Sequence, residues 1–281
     1  MDIQEEVSIR ELILDRETHI DFYHEVRQGV TSRRDAIDEL ESILDEITDD
    51  FRRAIALDLL GKREEAKGFL RNCQGNAMCV HLLGKLSLEE GNSKEALVVL
   101  ETGWANFGSV VPRIGMLLCE AMIHEHRIDE ARALLSKLPD SVDHPRICYL
   151  EGLLHQHEGD YDEALQFYST AAEGRPEETR FQFRLGYMHS LYGDEESAIE
   201  AYRMCQRSTP LYARAMINLG LLYEDTDRYE EAITCYRMVL LSNPDHNRAR
   251  LYLRDAEASQ SMYYDRDKEK EKVRMGQVLQ I

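Results

Sequence analysis

Five arginines recur along the chain at nearly constant spacing and could together bind carboxylates. They are separated by 33, 34, 34 and 34 residues: Arg113, Arg146, Arg180, Arg214 and Arg248. A guanidinium carries a planar fork of N–H donors that matches a carboxylate bidentately. We therefore expect these arginines to line a partner-binding groove for a protein or peptide segment of acidic character. The alternative is that each arginine pairs within the chain, with acids such as Glu177, Glu178 or Asp245.

Histidine pairs are the other candidate ligands, but their spacing disfavours a metal site. His124 and His126 lie two residues apart, as do His155 and His157. On a helix this spacing rotates the second ring by about 200°, so the two rings point to different faces. The sequence also contains no glycine-rich phosphate loop, no G-x-S-x-G elbow and no H-E-x-x-H pair. We predict no enzyme, with no catalytic residue, no cofactor and no metal.

Composition narrows the class of partner and the compartment. The formal net charge of −19 opposes direct binding of nucleic acid, which needs a basic surface. No run approaches the ~18 apolar residues of a membrane span, and the amino terminus is acidic, unlike a signal peptide. The six cysteines are scattered without a C-x-x-C pair. We expect a cytoplasmic protein without membrane contact, whose cysteines are reduced and buried. The sequence predicts no particular oligomeric state.

The elements that position the arginines are visible as a repeat. Alanines recur at spacings of 30, 35, 33, 34 and 34: Ala66, Ala96, Ala131, Ala164, Ala198 and Ala232. Twelve residues earlier the residue is always small: Ala54, Gly84, Cys119, Gly152, Gly186 and Gly220. Four residues after each alanine the residue is large: Leu70, Leu100, Leu135, Tyr168, Tyr202 and Tyr236. Small residues let two helices approach closely while the large residue fills the space beside them, so we predict glycine and alanine packing sites.

A turn separates the two helices of each unit. Its position is marked by a glycine in four units and by another residue in two: Gly61, Gly91, His126, Gly159, Gly193 and Asp227. All six prolines fall at junctions between units, where they do not interrupt a helix: Pro112, Pro139, Pro145, Pro176, Pro210 and Pro244.

These positions resemble the tetratricopeptide repeat, a helix-turn-helix unit. The stretch from Asn218 to Pro244 carries the family's pattern most fully. The resemblance covers about residues 47–246 as six units: 47–76, 77–111, 112–144, 145–178, 179–212 and 213–246. It implies an all-α solenoid, a right-handed superhelix that acts as a non-catalytic protein–protein interaction scaffold. In this family the place of the five arginines usually lines the concave groove.

Both ends of the chain are predicted to cap the repeats. Residues 1–46 hold 14 acidic and 5 basic side chains and are predicted to form a helical cap in which Met1 to about Asp15 are mobile. Residues 247–264 show helical spacing of apolar residues and are predicted to form a capping helix. Residues 265–281 are predicted to form a charged tail or linker.

A second resemblance concerns residues 218–281. Its distinctive residues lie in the last part of the chain: Ala249, Arg250, Leu251, Asp255, Ala256, Met262, Tyr263, Tyr264, Asp265, Gln277, Val278 and Leu279. This stretch is similar to bacterial tetratricopeptide-repeat proteins that carry a module like the RNA polymerase alpha-subunit carboxyl-terminal domain. The resemblance implies, as an alternative function, a transcription-associated adaptor. We expect the module itself to be absent, because the sequence reaches Ile281 where the module would begin.

Overall fold

A computed structural model describes residues 8–19, 21–32, 35–138, 143–207, 209 and 211–278. Helices are the only regular structure in these ranges, which contain no strand. The chain divides into two compact units, Met1–His157 (unit 1) and Glu158–Ile281 (unit 2). Predictions that concern Pro139, Pro210 and Leu279 lie outside the described residues.

Unit 1 is built mainly from consecutive helices that pack as neighbouring pairs. The helices are α1 (Phe22–Ser32), α2 (Ala36–Ile43), α3 (Asp50–Leu59), α4 (Arg63–Asn72), α5 (Ala77–Glu89), α6 (Ser93–Phe107), α7 (Pro112–His124), α8 (Ile128–Leu135) and α9 (His144–Glu158). A π-helical turn, Glu11–Asp15, precedes α1, and a 3₁₀ turn, Leu44–Glu46, follows α2. From α3 onward, α3 packs on α4, α5 on α6 and α7 on α8, as expected for helix-turn-helix units.

Unit 2 continues the same organisation. Its helices are α10 (Tyr161–Gly174), α11 (Thr179–Tyr192), α12 (Glu195–Arg203), α13 (Tyr212–Asp225), α14 (Tyr229–Ser242) and α15 (Asn247–Val278). Helix α11 packs on α12, α13 on α14, and α14 on α15. Helix α15 runs through Val278, so no helix end separates the predicted capping helix from the predicted tail.

The turns between paired helices share one backbone conformation. At all six turn positions named above φ is positive, between 58° at Asp227 and 89° at Gly159. Glycine adopts this left-handed conformation without steric cost, whereas His126 and Asp227 adopt it against their Cβ atoms. Side chains of Asp49, Asn92 and Asp194 accept hydrogen bonds from N–H groups in the first turns of the helices that follow.

Close packing at the small residues brings the paired helices together. All six repeat alanines are fully buried. A Cβ atom on Gly186 would lie 2.9 Å from Cδ1 of Tyr202. A Cβ atom on Gly84 would overlap Leu100, and a Cβ atom on Gly220 would overlap Tyr236. The bulk missing at these glycines is therefore supplied by the large residue of the partner helix.

Met1 to about Asp15 were predicted to be mobile, but the described part of this stretch, Ser8–Asp15, packs into the core; residues 1–7 lie outside the described residues. Ile9, Leu12 and Ile13 are buried, and they join a core that includes Phe22 and Phe51. Residues spaced by three and four lie on one face of a helical turn, so the apolar residues of this segment have one side to bury. The segment Ser8–Asp15 is consequently part of unit 1.

The prediction that all cysteines are reduced is wrong for one pair. Cys73 and Cys79 form a disulfide, because the short connection from α4 to α5 holds their Cα atoms 6.0 Å apart. The remaining four cysteines are free and buried, as expected: Cys119, Cys148, Cys205 and Cys235. Burial disfavours the thiolate and raises the pKa of Cys119 and Cys205 to about 12.

Candidate partner-binding surfaces

Two successive first helices of unit 2 each carry an arginine near their start, followed on the same side by exposed apolar residues. On α11, Tyr187 and Leu191 follow Arg180 by seven and eleven residues. At 100° of rotation per residue, each of them points within about 20° of the direction of Arg180 around the helix axis. On α13, Leu221 follows Arg214 by seven residues. The apolar members are exposed, at 36% for Tyr187, 54% for Leu191 and 37% for Leu221.

The arginines of the series that lie in unit 2 have different environments. Arg180 forms an ion pair with Glu178 at 3.3 Å, one of the acids named by the intrachain alternative. The guanidinium carbon of Arg214 lies 5.1 Å from the ring centroid of Phe183, so a cation–π contact joins α13 to α11. Arg248, in the first turn of α15, is exposed. We call Arg180, Arg214 and Arg248 with Tyr187, Leu191 and Leu221 the unit 2 surface.

The other two arginines of the series, Arg113 and Arg146, lie in unit 1. Arg113, in the first turn of α7, forms an ion pair with Asp21, which lies just before α1. Burial alone would raise the pKa of Asp21, but the hydrogen bond and charge of Arg113 outweigh it and lower that pKa. Arg146 is half-buried in the first turn of α9. The first of the five arginines therefore holds an acidic residue of its own chain.

A buried polar cluster centred on Asp58 was not anticipated from the sequence. The Tyr23 hydroxyl donates to Oδ2 of Asp58 at 2.6 Å, and Nε of Arg63 donates to Oδ1 at 2.7 Å. Nη1 of Arg27 donates to the Tyr23 oxygen at 3.1 Å. Burial, followed by the negative charges of Glu89 and Asp58, raises the pKa of Tyr23 well above its ordinary value. The cluster holds α1 on α3 with Tyr23 as a neutral donor.

A second network joins two helix pairs of unit 1. The Lys67 ammonium lies 2.8 Å from Oε2 of Glu90 and 2.7 Å from Oε2 of Glu95, and Arg71 lies 2.6 Å from Oε1 of Glu95. Burial would raise the pKa of Glu95, but its bonds to Lys67 and Arg71 lower it to about 2. The network thus pairs two basic side chains of α4 with two acidic side chains of the next helix pair.

Two histidines from different helix pairs meet in unit 1. Nδ1 of His126, in the turn after α7, lies 2.7 Å from Nε2 of His157 near the end of α9. Both side chains are exposed. The spacing within each histidine pair did not predict this contact, which joins the turn residue of one unit to a residue two positions before the turn of the next unit.

Unit 2 also contains a cavity of about 540 Å³ among α12, α13 and α14. Apolar and sulfur-bearing side chains form most of its wall, including Met216, Leu219, Cys235 and Met238. Arg203 lies at this cavity and donates to the Tyr223 hydroxyl at 2.7 Å. Helix α12 ends at Arg203, beside this cavity.

Comparison with known families identifies the repeat. Models described as tetratricopeptide repeat match residues 149–213 and 213–246. The chain is a tetratricopeptide-repeat protein. Comparison of its sequence with curated proteins gives no match.

Solved structures share the fold of this tetratricopeptide-repeat protein at low sequence identity. One is the APC/C hetero-tetramer Cut9-Hcn1, with 15% identity and a TM-score of 0.58 over 89% of this chain and 53% of that one. Another is a tetratricopeptide-repeat protein from Parabacteroides merdae, with 13% identity and a TM-score of 0.57 over 85% of this chain and 98% of that one. The chain thus spans about half the length of the first of these. At such identities the likeness shows the fold alone, and the predicted all-α solenoid of tetratricopeptide repeats is confirmed.

The tetratricopeptide repeats matched at residues 149–246 are modules of a kind that mediates protein–protein interactions. Among the helices that the structure describes, none combines the length and apolar character needed to cross a membrane.

Proposed function

We propose that this tetratricopeptide-repeat protein is a non-catalytic scaffold that holds an acidic, amphipathic segment of a partner protein on the unit 2 surface. The observation that carries the proposal is that α11 and α13 each place an arginine and exposed apolar side chains on the same side. A partner helix with acidic residues beside an apolar face would complement both components.

Electrostatics favours an acidic ligand at this place despite the negative total charge. Arg214 and Arg248 are exposed and recur at the repeat period, so their positive potential adds locally. Opposite charges across an interface mainly raise the association rate and the specificity, and their effect is screened by salt. The apolar residues Tyr187, Leu191 and Leu221 would supply the area that is removed from water.

Selection from a displayed random-peptide library on the full chain would test the proposal. We expect the selected peptides to be enriched in Asp and Glu and to bind more weakly as salt is added. The double variant Arg214→Ala/Arg248→Ala should bind them about tenfold more weakly, measured by fluorescence anisotropy, because each lost charge pair reduces complementarity. Helical content by circular dichroism should stay unchanged.

Arg237→Ala provides a matched control, because Arg237 is an exposed arginine of α14 that pairs with Glu257. Its affinity for the selected peptides should equal that of the wild type. Selected peptides without acidic enrichment, or equal binding by the double variant, would contradict the proposal. If the double variant instead melts several degrees lower and binds normally, the arginines act within the chain.

The transcription-associated alternative stays a prediction, since it depends on the resemblance of residues 218–281. A cytoplasmic location also stays a prediction.

A further inference from the structure

The amino-terminal segment of unit 1, which the structure describes at residues 8–19 and 21–32, reaches across three successive helix pairs. Besides Glu39 and Glu46, which bind Arg10, it contacts the first helix of each pair. These contacts are made by Arg52 on α3, Lys85 on α5 and Arg113 on α7. The ammonium of Lys85 lies 4.5 Å from the ring centroid of Tyr23. A segment that only caps a stack contacts the pair next to it, because each repeat touches its immediate neighbours. This segment instead follows the row of first helices, as a bound peptide would.

Arg52 forms hydrogen bonds with the backbone of the segment. Its guanidinium donates to the carbonyl of Leu14 at 2.8 Å, to that of Arg16 at 2.7 Å and to that of Ile13. The last carbonyls of a helical turn have no partner inside the turn, and the five N–H donors of arginine can satisfy several of them. Such main-chain contacts would accept any segment that presents a helical end at this place.

Two adjacent aromatic residues anchor the segment. Phe22 is fully buried. The guanidinium carbon of Arg52 lies 5.5 Å from the centroid of the Phe22 ring. Tyr23 is almost fully buried and places its hydroxyl on Asp58. Buried aromatic residues with a satisfied polar end supply most of the binding energy in many interfaces. Asp21, directly before them, supplies the ion pair to Arg113.

We propose that the surface formed by α3, α5 and α7 is a second peptide-binding surface, whose resident ligand is residues 8–32 of the chain itself. A partner helix with the same chemistry, an acidic residue followed by two aromatic residues, would compete with it. The inference concerns unit 1 and does not depend on the unit 2 surface. Because the resident ligand is tethered, its effective concentration is on the order of millimolar for a short connection, so competition requires a tight partner or a weakened segment.

A charge swap between Arg113 and Asp21 tests the proposal with a defined probe. The probes are fluorescent synthetic peptides of residues 8–32, one with the native sequence and one with Asp21→Arg. In the full chain, Arg113→Asp places a second acidic side chain against Asp21 and so weakens the resident segment. We expect this variant to bind the Asp21→Arg peptide about tenfold more tightly than the native peptide, because only the changed peptide restores an opposite-charge pair.

The wild-type chain serves as the control, because its surface is already occupied, and it should bind both peptides weakly. Equal affinities of the Arg113→Asp chain for the two peptides, or no binding of either, would overturn the proposal. A second measurement on the wild-type chain does not depend on any variant. Hydrogen exchange should show the amides of α1 opening at a lower free energy than those of α3 and α5. Opening of all three helices at one free energy would show that the segment is an inseparable part of the core, and would overturn the proposal as well.

Discussion

Gly220 sets how closely α13 and α14 approach, because its missing side chain is replaced by the ring of Tyr236. That ring is fully buried, and its hydroxyl donates to Oε1 of Glu224 at 2.5 Å. Burial and the hydrogen bond to Glu224 raise the pKa of Tyr236 above its ordinary value, so the phenol remains a neutral donor. A methyl group at residue 220 would therefore displace both a packed ring and its hydrogen bond.

We expect Gly220→Ala to destabilise the protein by about 1–3 kcal/mol, because overpacking forces side chains from their preferred positions. Denaturant unfolding followed by circular dichroism measures the change. Gly68→Ala is the matched control, since Gly68 is also helical but has open space around its Cα atom. There alanine should be neutral or stabilise the protein by up to about 1 kcal/mol, through its higher helix propensity. If the two alanine variants are equally stable, close packing at Gly220 does not limit the structure.

Residues that obey the repeat were predictable from the sequence, because their environment recurs with the period. His126 is an example: its place between the two helices of a unit predicts a turn, and its φ of 61° is like that of the glycines at the same place in other units. The contact between Asp21 and Arg113 was not predictable in this way. It joins residues 92 apart, one of them outside the repeats, and no local pattern encodes it. The Cys73–Cys79 disulfide likewise depends on the geometry of one particular connection.

Helices α4, α5 and α6 are joined through a lysine that is almost completely buried. The side chain of Lys67 is 3% exposed and is neutralised by Glu90 and Glu95. Removing one partner from a buried ion pair leaves the others without compensation, which costs more than the loss of an exposed pair. This network, rather than apolar packing alone, links the second helix of one pair to the next pair.

The same network should make unit 1 sensitive to acid. The pKa of Glu95 is about 2 in the folded chain, below its ordinary value of 4.5. A carboxylate with a lowered pKa contributes stability that is fully present above its unfolded pKa and is lost as pH falls through its folded pKa. We therefore expect up to about 3 kcal/mol of stability to be lost between about pH 4.5 and pH 2. Urea unfolding at a series of pH values measures this loss.

Substitution of Lys67 should remove most of that pH dependence. We expect Lys67→Met to lower the free energy of unfolding by about 1–3 kcal/mol at pH 7. The loss should be smaller at pH 3, because Glu95 is then largely protonated in the unfolded chain and the network favours the folded chain less. Arg237→Met is the control, because the Arg237–Glu257 pair is exposed and should contribute less than about 1 kcal/mol. An unchanged acid sensitivity in Lys67→Met would exclude Glu95 as its source.

The division of the chain into two compact units predicts that the free energy of local unfolding differs from one part of the chain to another. In a repeat protein each helix pair is stabilised by its own packing and by its immediate neighbours. A substitution that destabilises one pair therefore destabilises mainly that pair and the pairs next to it. The Gly220→Ala substitution should therefore act on α13 and α14 first, and on α11, α12 and α15 to a smaller extent. Helices of unit 1 should retain their protection.

Hydrogen exchange measured by mass spectrometry on the full chain tests this expectation. Peptides from α13 and α14 of Gly220→Ala should exchange at a free energy lowered by about 1–3 kcal/mol, and peptides from α3 and α5 should match the wild type. Gly68→Ala, which lies in unit 1, should leave α13 and α14 unchanged. An equal loss of protection in both units would mean that the chain unfolds as one cooperative body, in spite of its repeats. A local loss would instead allow a partner at one surface to stabilise its own helix pairs while the rest of the scaffold keeps its stability.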